Sequence, residues 1–224
     1  MTTTTLLRAP RDIGSWMWFP RHLESGLPAQ YALAARIAEI TAHHGLLTTP
    51  RIISAWRLDG VVAPRAQSLV SPTSPLDDPA TLTAVIAARP TELPESAQPG
   101  AMELTGPGTW FDTDGIAHTE DGLLRITVDL PPGDAWVNLE VFHDVWMPCD
   151  FTGQPHPRIH AYNAPRLAAT ITNINTLLGT EAEPGEHTYF GHAVDLGVQN
   201  SVDDDGEPLD VTDLIAAAAY RSDG

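Results

Sequence analysis

The chain predicts an α+β fold in which a largely antiparallel sheet is packed by a few amphipathic helices. Three observations lead there. Apolar residues recur at every second position in several short runs, among them Leu124, Ile126, Val128 and Leu130. Turn dipeptides follow those runs closely: Asp59-Gly60, Asp114-Gly115 and Asp121-Gly122 suit tight reversals between antiparallel strands. Two longer stretches change to helical spacing instead, with Leu33, Ile37, Ile40 and His44 in one and Leu167, Ile171, Ile174 and Leu178 in the other.

Ile13 to Phe19 reads as a short aromatic strand that stops at Pro20. Pro28 to Gly45 reads as a helix whose His43 and His44 suit the negative end of its dipole. Arg51 to Leu58 is a second strand. Residues 63–78, punctuated by Pro64, Pro72 and Pro75, read as loop. Asp78 before Pro79 is an N-cap with proline at the first helical position, opening a helix to Arg89 with Leu82, Val85 and Ile86 inward. The segment 90–100, RPTELPESAQPG with its preceding arginine, is the best linker or loop in the chain. It separates an α/β segment, 1–89, which is net neutral once residues 90–100 are counted with it, from an acidic α+β domain, 101–224.

That second part opens with a strand over Met102 to Phe111, interrupted at Gly106-Pro107-Gly108, which suggests a bulge or an edge. Alternation from Val137 to Met147 predicts one long strand with His143 as the only polar residue on its apolar face. Pro155 and Pro157 argue against a helix there, so the next helix is expected from an Asn163 cap to a Gly179 stop. His187 to Leu196 reads as a strand. Asp210 to Tyr220 reads as a closing helix that buries Val211, Leu214, Ile215 and Ala218.

Charge is the most informative bulk property. The 224 residues carry a net charge of −17, and every one of the 12 basic residues is arginine. Residues 1–100 balance eight acidic residues against eight arginines. The whole excess therefore falls in residues 101–224, with twenty-one acidic residues against four arginines. Such a field repels nucleic acid and attracts basic partners. No apolar run approaches membrane-span length, the N-terminus lacks a leader pattern, and one cysteine makes no internal disulfide; the expected location is the cytoplasm.

The run VWMPCDFTGQPHPRIHAYNAPRLAATI, with the later TYFG and GVQN, resembles a group of uncharacterised actinobacterial proteins over roughly residues 140–215, and the absence of lysine agrees with such a GC-rich source. The resemblance implies no activity and no catalytic residues.

Two functions from different classes follow. The first is a non-enzymatic module that engages a basic protein partner, as an immunity protein or toxin inhibitor does. Its binding residues would be Asp112, Asp114, Glu120, Asp121, Asp203, Asp204, Asp205 and Glu207. The alternative is a small metal-assisted or hydrolase-like enzyme built on His143, Asp144, Cys149, Asp150, His156 and His160. The residue types suit zinc, but no metal signature is present, and an extended chain would hold His156 and His160 about 13 Å apart. Cys149 has a carboxylate beside it where a nucleophile needs a cation. Asp203-Asp204-Asp205-Gly206 begins like a calcium loop but has Thr212 where the bidentate glutamate belongs, so it reads as an acidic turn. No metal and no cofactor is expected.

Overall fold

A computed structural model describes residues 6–222. In chain order the elements are β1 (Gly14–Trp18), α1 (Leu27–His43), β2 (Arg51–Leu58), β3 (Val61–Val70), α2 (Pro79–Ala87) and β4 (Gln98–Thr105). There follow β5 (Pro107–Phe111), β6 (Ala117–Asp121), β7 (Leu124–Asp129) and β8 (Trp136–Val141), then a 3₁₀ turn at Asp144–Trp146 and α3 (Pro157–Leu178). Short strands β9 (Glu183–Pro184), β10 (His192–Val194) and β11 (Gly197–Gln199) lead to α4 (Thr212–Ser222).

Seven strands form one antiparallel sheet in the order β3-β2-β4-β7-β8-β1-β9, with β5-β6 and β10-β11 as separate two-stranded ribbons. The expected α+β class holds. Its core follows from the period of two. In register across the sheet stand Trp16, Leu139, Ile126, Leu104 and Ile52, every one with no solvent exposure. The next row is Trp18, Val137, Val128, Met102 and Ser54, also buried. Helices α1 and α3 close over this face with Ala34, Ile37, Leu167, Ile171 and Ile174. Trp18 donates its indole N–H to Asn175 Oδ1 of α3 at 2.7 Å, which fixes the helix against β1.

The opposite face is left to solvent. Ser15, Met17, Ile53, Ala55, Glu103, Thr105, Arg125 and Glu140 alternate with the core rows and stay partly accessible. On this face the arginines find their carboxylates: Arg125 with Glu140 at 2.7 and 2.8 Å, Arg57 with Asp129 at 3.0 Å, and Arg51 with Asp121 at 2.7 Å.

Several expectations need correction. Residues 61–70 are a strand and not a loop, because β3 lies at the sheet edge, where Pro64 removes no ladder bond that the sheet needs. The break at 90–100 does not interrupt the sheet. Gln98–Gly100 already belong to β4, β2 pairs with β4, and β1 pairs with β8, so the neutral and acidic parts share one ladder. Residues 137–147 are not one strand: β8 stops at Val141, and the backbone turns at Asp144. Helix α3 starts six residues before Asn163, because Pro157 occupies the first helical position, where proline is favoured. Only 192–194 of the expected strand 187–196 is extended. Ile86 and Leu214 face solvent at 49% and 47% exposure.

Candidate functional site

The six residues of the enzyme reading lie along one stretch of chain, from the end of β8 to the first turn of α3. His143 follows the end of β8, 1% exposed, and its Nδ1 has no hydrogen-bond partner. Burial, helped by the Arg8 charge, lowers its pKa to about 3, so the ring is neutral and a feeble base. Asp144 opens the 3₁₀ turn at 5% exposure, and burial pushes its carboxyl up to about 7 against the backbone N–H groups that hold it. Cys149 is buried; desolvation, then Asp150 and Glu207, raise its thiol pKa, the opposite of what a nucleophile requires. Asp150 raises the pKa of both Asp144 and Cys149, whereas Arg8 acts on His143 and His156 on His160.

Asp150 is consumed by its own turn. It accepts from the Thr152 N–H at 2.8 Å, the Thr152 hydroxyl at 2.6 Å and the Gln154 N–H at 3.0 Å. His156 Nε2 bonds the carbonyl of Met147 at 2.7 Å. His156 and His160 are one helical turn apart, not about 13 Å, since the His160 N–H reaches the His156 carbonyl at the start of α3. Even so, no group of three or more His, Cys, Asp or Glu among the described residues is placed to hold a metal ion.

Two asparagines organise this region instead. Asn163, fully buried in α3, is not a cap: it donates from Nδ2 to the Phe111 and Ile159 carbonyls and accepts the Phe111 N–H at 2.9 Å. Its amide thereby stands in for a strand beside β5. Asn200 does the same for Cys149, accepting its N–H at 3.0 Å and donating to its carbonyl at 2.9 Å. Arg166 of α3 adds a charged anchor. It donates to the His44 carbonyl at the end of α1 and to Thr109 O at 2.7 Å, so its charge sits against a helix C-terminus.

The acidic residues occupy two turns and one strand end. At the β5-β6 tip, Asp112 is less free than expected. It accepts the N–H groups of Asp114 and Ile116 at 2.9 Å and pairs with His118 at 2.7 Å, which holds its pKa down. Asp114 is exposed. Glu120 is half-buried, and Asp121 is committed to Arg51. The second turn, 203–206, is closed by Asp203, whose Oδ1 accepts from Asp205 at 2.9 Å and from Glu207 at 3.0 Å. Asp204, Asp205 and Glu207 point into solvent.

Large exposed side chains stand beside both turns. Tyr162 (43%) and Ile116 (57%) border the first, with the Tyr162 ring 3.4 Å from where a Cβ on Gly115 would lie. Val202 (52%) adjoins the second; Tyr189 (77%) is on the loop that Ser201 ties down through its bond to the Thr188 carbonyl. A cavity of about 650 Å³, unforeseen from the sequence, opens between the α1 N-terminus and the β2-β3 and β7-β8 turns, with Gln30 and Arg57 on its wall. Among the described residues no helix is long and apolar enough to cross a membrane. Comparison of the chain with family models, curated proteins and solved structures gives no match.

Proposed function

We propose that the chain is a non-enzymatic binding protein that captures a basic protein partner through its two acidic turns, as an immunity protein or toxin inhibitor would. The observation that carries this reading is the sorting of charge over the surface. The arginine–carboxylate pairs lie on the open sheet face, whereas Asp114, Asp204, Asp205 and Glu207 are exposed and, among the described residues, within 4.0 Å of no arginine. Unneutralised carboxylates around exposed tyrosines make a suitable docking surface. Tyrosine supplies contact area at small entropic cost, and the charge field steers an oppositely charged protein into place. The neutral, buried His143 and the Cys149 thiol, whose pKa is raised, lend the enzyme reading no comparable support. A lone buried thiol is compatible with a reducing cytoplasm.

The test is a partner recovered on the immobilised protein from its own host cells, followed by association kinetics across a salt series. Attraction that decays over about 8 Å at physiological ionic strength makes the on-rate fall steeply with salt. The triple variant Asp204→Asn, Asp205→Asn, Glu207→Gln leaves Asp203 to hold the turn and should slow association with little change in dissociation. A salt-independent on-rate, or recovery of no basic protein, refutes the proposal.

A further inference from the structure

The open sheet face carries a second, unrelated feature where residues 7–9 run beside the end of β8. The Ala9 N–H donates to the Phe142 carbonyl at 2.8 Å, and Arg8 forms an antiparallel bridge with His143. The backbone of Arg8 is thus pinned, and its guanidinium lies over the Phe142 ring, 4.7 Å from the centroid. Arg125 of β7 lies 5.1 Å from the same centroid, oriented by its bidentate bond to Glu140 and by Glu103 at 3.8 Å. Two cations share one aromatic ring. Arg125 has its counter-ions; Arg8, among the described residues, has no carboxylate within 4.0 Å. Burial and then the neighbouring Arg125 lower the pKa of Arg8, and Glu120 and Asp121 act on it only from farther away, the latter already held by Arg51. A chain with a net charge of −17 does not lack carboxylates to place there.

Both arginines and Phe142 line a small cavity of about 160 Å³, which Ile53, Glu103, Thr105 and Gly122 also line. At about 30 Å³ per water it has room for roughly five waters, or for one small oxyanion. Gly122, at φ +68°, keeps the space open: a Cβ there would meet Arg8 Nη1 at 2.5 Å.

We propose that Arg8 and Arg125 form a receptor for a single oxyanion, a carboxylate or a phosphate monoanion, on the open face of the sheet. The free fork of Arg8, over the Phe142 ring, matches such groups, and Arg125, whose own fork is held by Glu140, adds its charge beside it. Size excludes a nucleotide. Glu103 on the wall disfavours multiply charged anions. The anion is carried either by a free small molecule or by the side chain of a protein.

Isothermal titration at constant ionic strength, balanced with chloride, tests this with three probes: acetate, inorganic phosphate, and glutamate blocked as its N-acetyl amide. The expected result is saturable one-to-one binding of at least one probe with a Kd of about 1 mM or tighter. Arg8→Gln should weaken it at least tenfold, and the exposed Arg11→Gln should leave it unchanged. Should Arg8→Gln fail to fold, Arg8→Lys keeps the charge but loses the fork and should weaken binding by a smaller factor. Tightest binding of phosphate identifies a free oxyanion, and blocked glutamate bound at least tenfold tighter than acetate identifies a protein side chain. Absence of saturable binding to all three probes overturns the proposal, as does equal weakening by Arg8→Gln and Arg11→Gln.

Discussion

Replacing Asp144 with asparagine should make stability depend on pH in a way that the wild type conceals. Burial raises the folded-state pKa of Asp144 from 3.8 to about 7, so the fold prefers the protonated carboxyl. The stability this group contributes is complete below 3.8 and is lost as pH rises through 7, because the unfolded chain ionises first. At about 1.4 kcal/mol per pH unit the whole interval corresponds to about 4 kcal/mol, of which about 3 kcal/mol falls between pH 5 and 8. His143 acts in the opposite sense: with a pKa lowered to about 3, it costs stability as pH falls from 6.5. Between about 4 and 6.5 the two slopes cancel, and the wild-type profile is blunted. Asparagine at 144 retains a side-chain acceptor for the backbone N–H groups and removes the proton equilibrium. Urea denaturation followed by tryptophan fluorescence, at intervals from pH 5 to 8, isolates the group as variant minus wild type. That difference should grow by about 3 kcal/mol in favour of Asp144→Asn. A flat difference, or one that shrinks with pH, would refute the assignment of Asp144 as a buried acid.

The sheet pairing makes a prediction about proteolysis. The first cut should fall within residues 91–96, which are mostly exposed, and not within Gln98–Gly100 of β4. The two fragments should then co-elute in native size exclusion, because the β1-β8 and β2-β4 ladders hold them together; separation would restore two independent domains. Asn163→Ala removes three bonds from a fully buried amide and orphans the Phe111 backbone, so it should cost about 3 kcal/mol in denaturant unfolding. A loss below about 1 kcal/mol would show that β5 does not depend on that clamp.

What the sequence revealed and what it hid have physical reasons. Strand β7 was legible because one of its faces is buried, so Leu124, Ile126 and Val128 alternate with polar residues. Alternation misled just past β8: every residue from Val141 to Met147 is buried on both sides of a turn, so a pattern that cannot distinguish strand from 3₁₀ geometry simply ran on. Pro64 disguised β3, since the permission to sit in a strand comes from being at an edge, and edge position is a property of the whole sheet. The acidic turns were readable from Asp-Gly pairs and local charge. That Asp112 and Asp121 are engaged by His118 and Arg51 was not, because Arg51 comes from a distant part of the chain. The pairing of Arg8 with Arg125 was hidden for the same reason.

The place of β1 has a consequence for how the protein is made. Its partners in the sheet, β8 and β9, are the last strands of that sheet to leave the ribosome. Strands β2, β3 and β4 are sequence neighbours and can zip as they emerge, but Trp16 and Trp18 must wait, uncovered, until Val137 and Leu139 have been synthesised. Closing that contact is entropically slow and defers completion of the core until β8 has been synthesised. The nascent chain therefore displays an indole-rich segment until β8 emerges, a natural site for a chaperone to hold, and refolding from denaturant should be limited by the docking of β1.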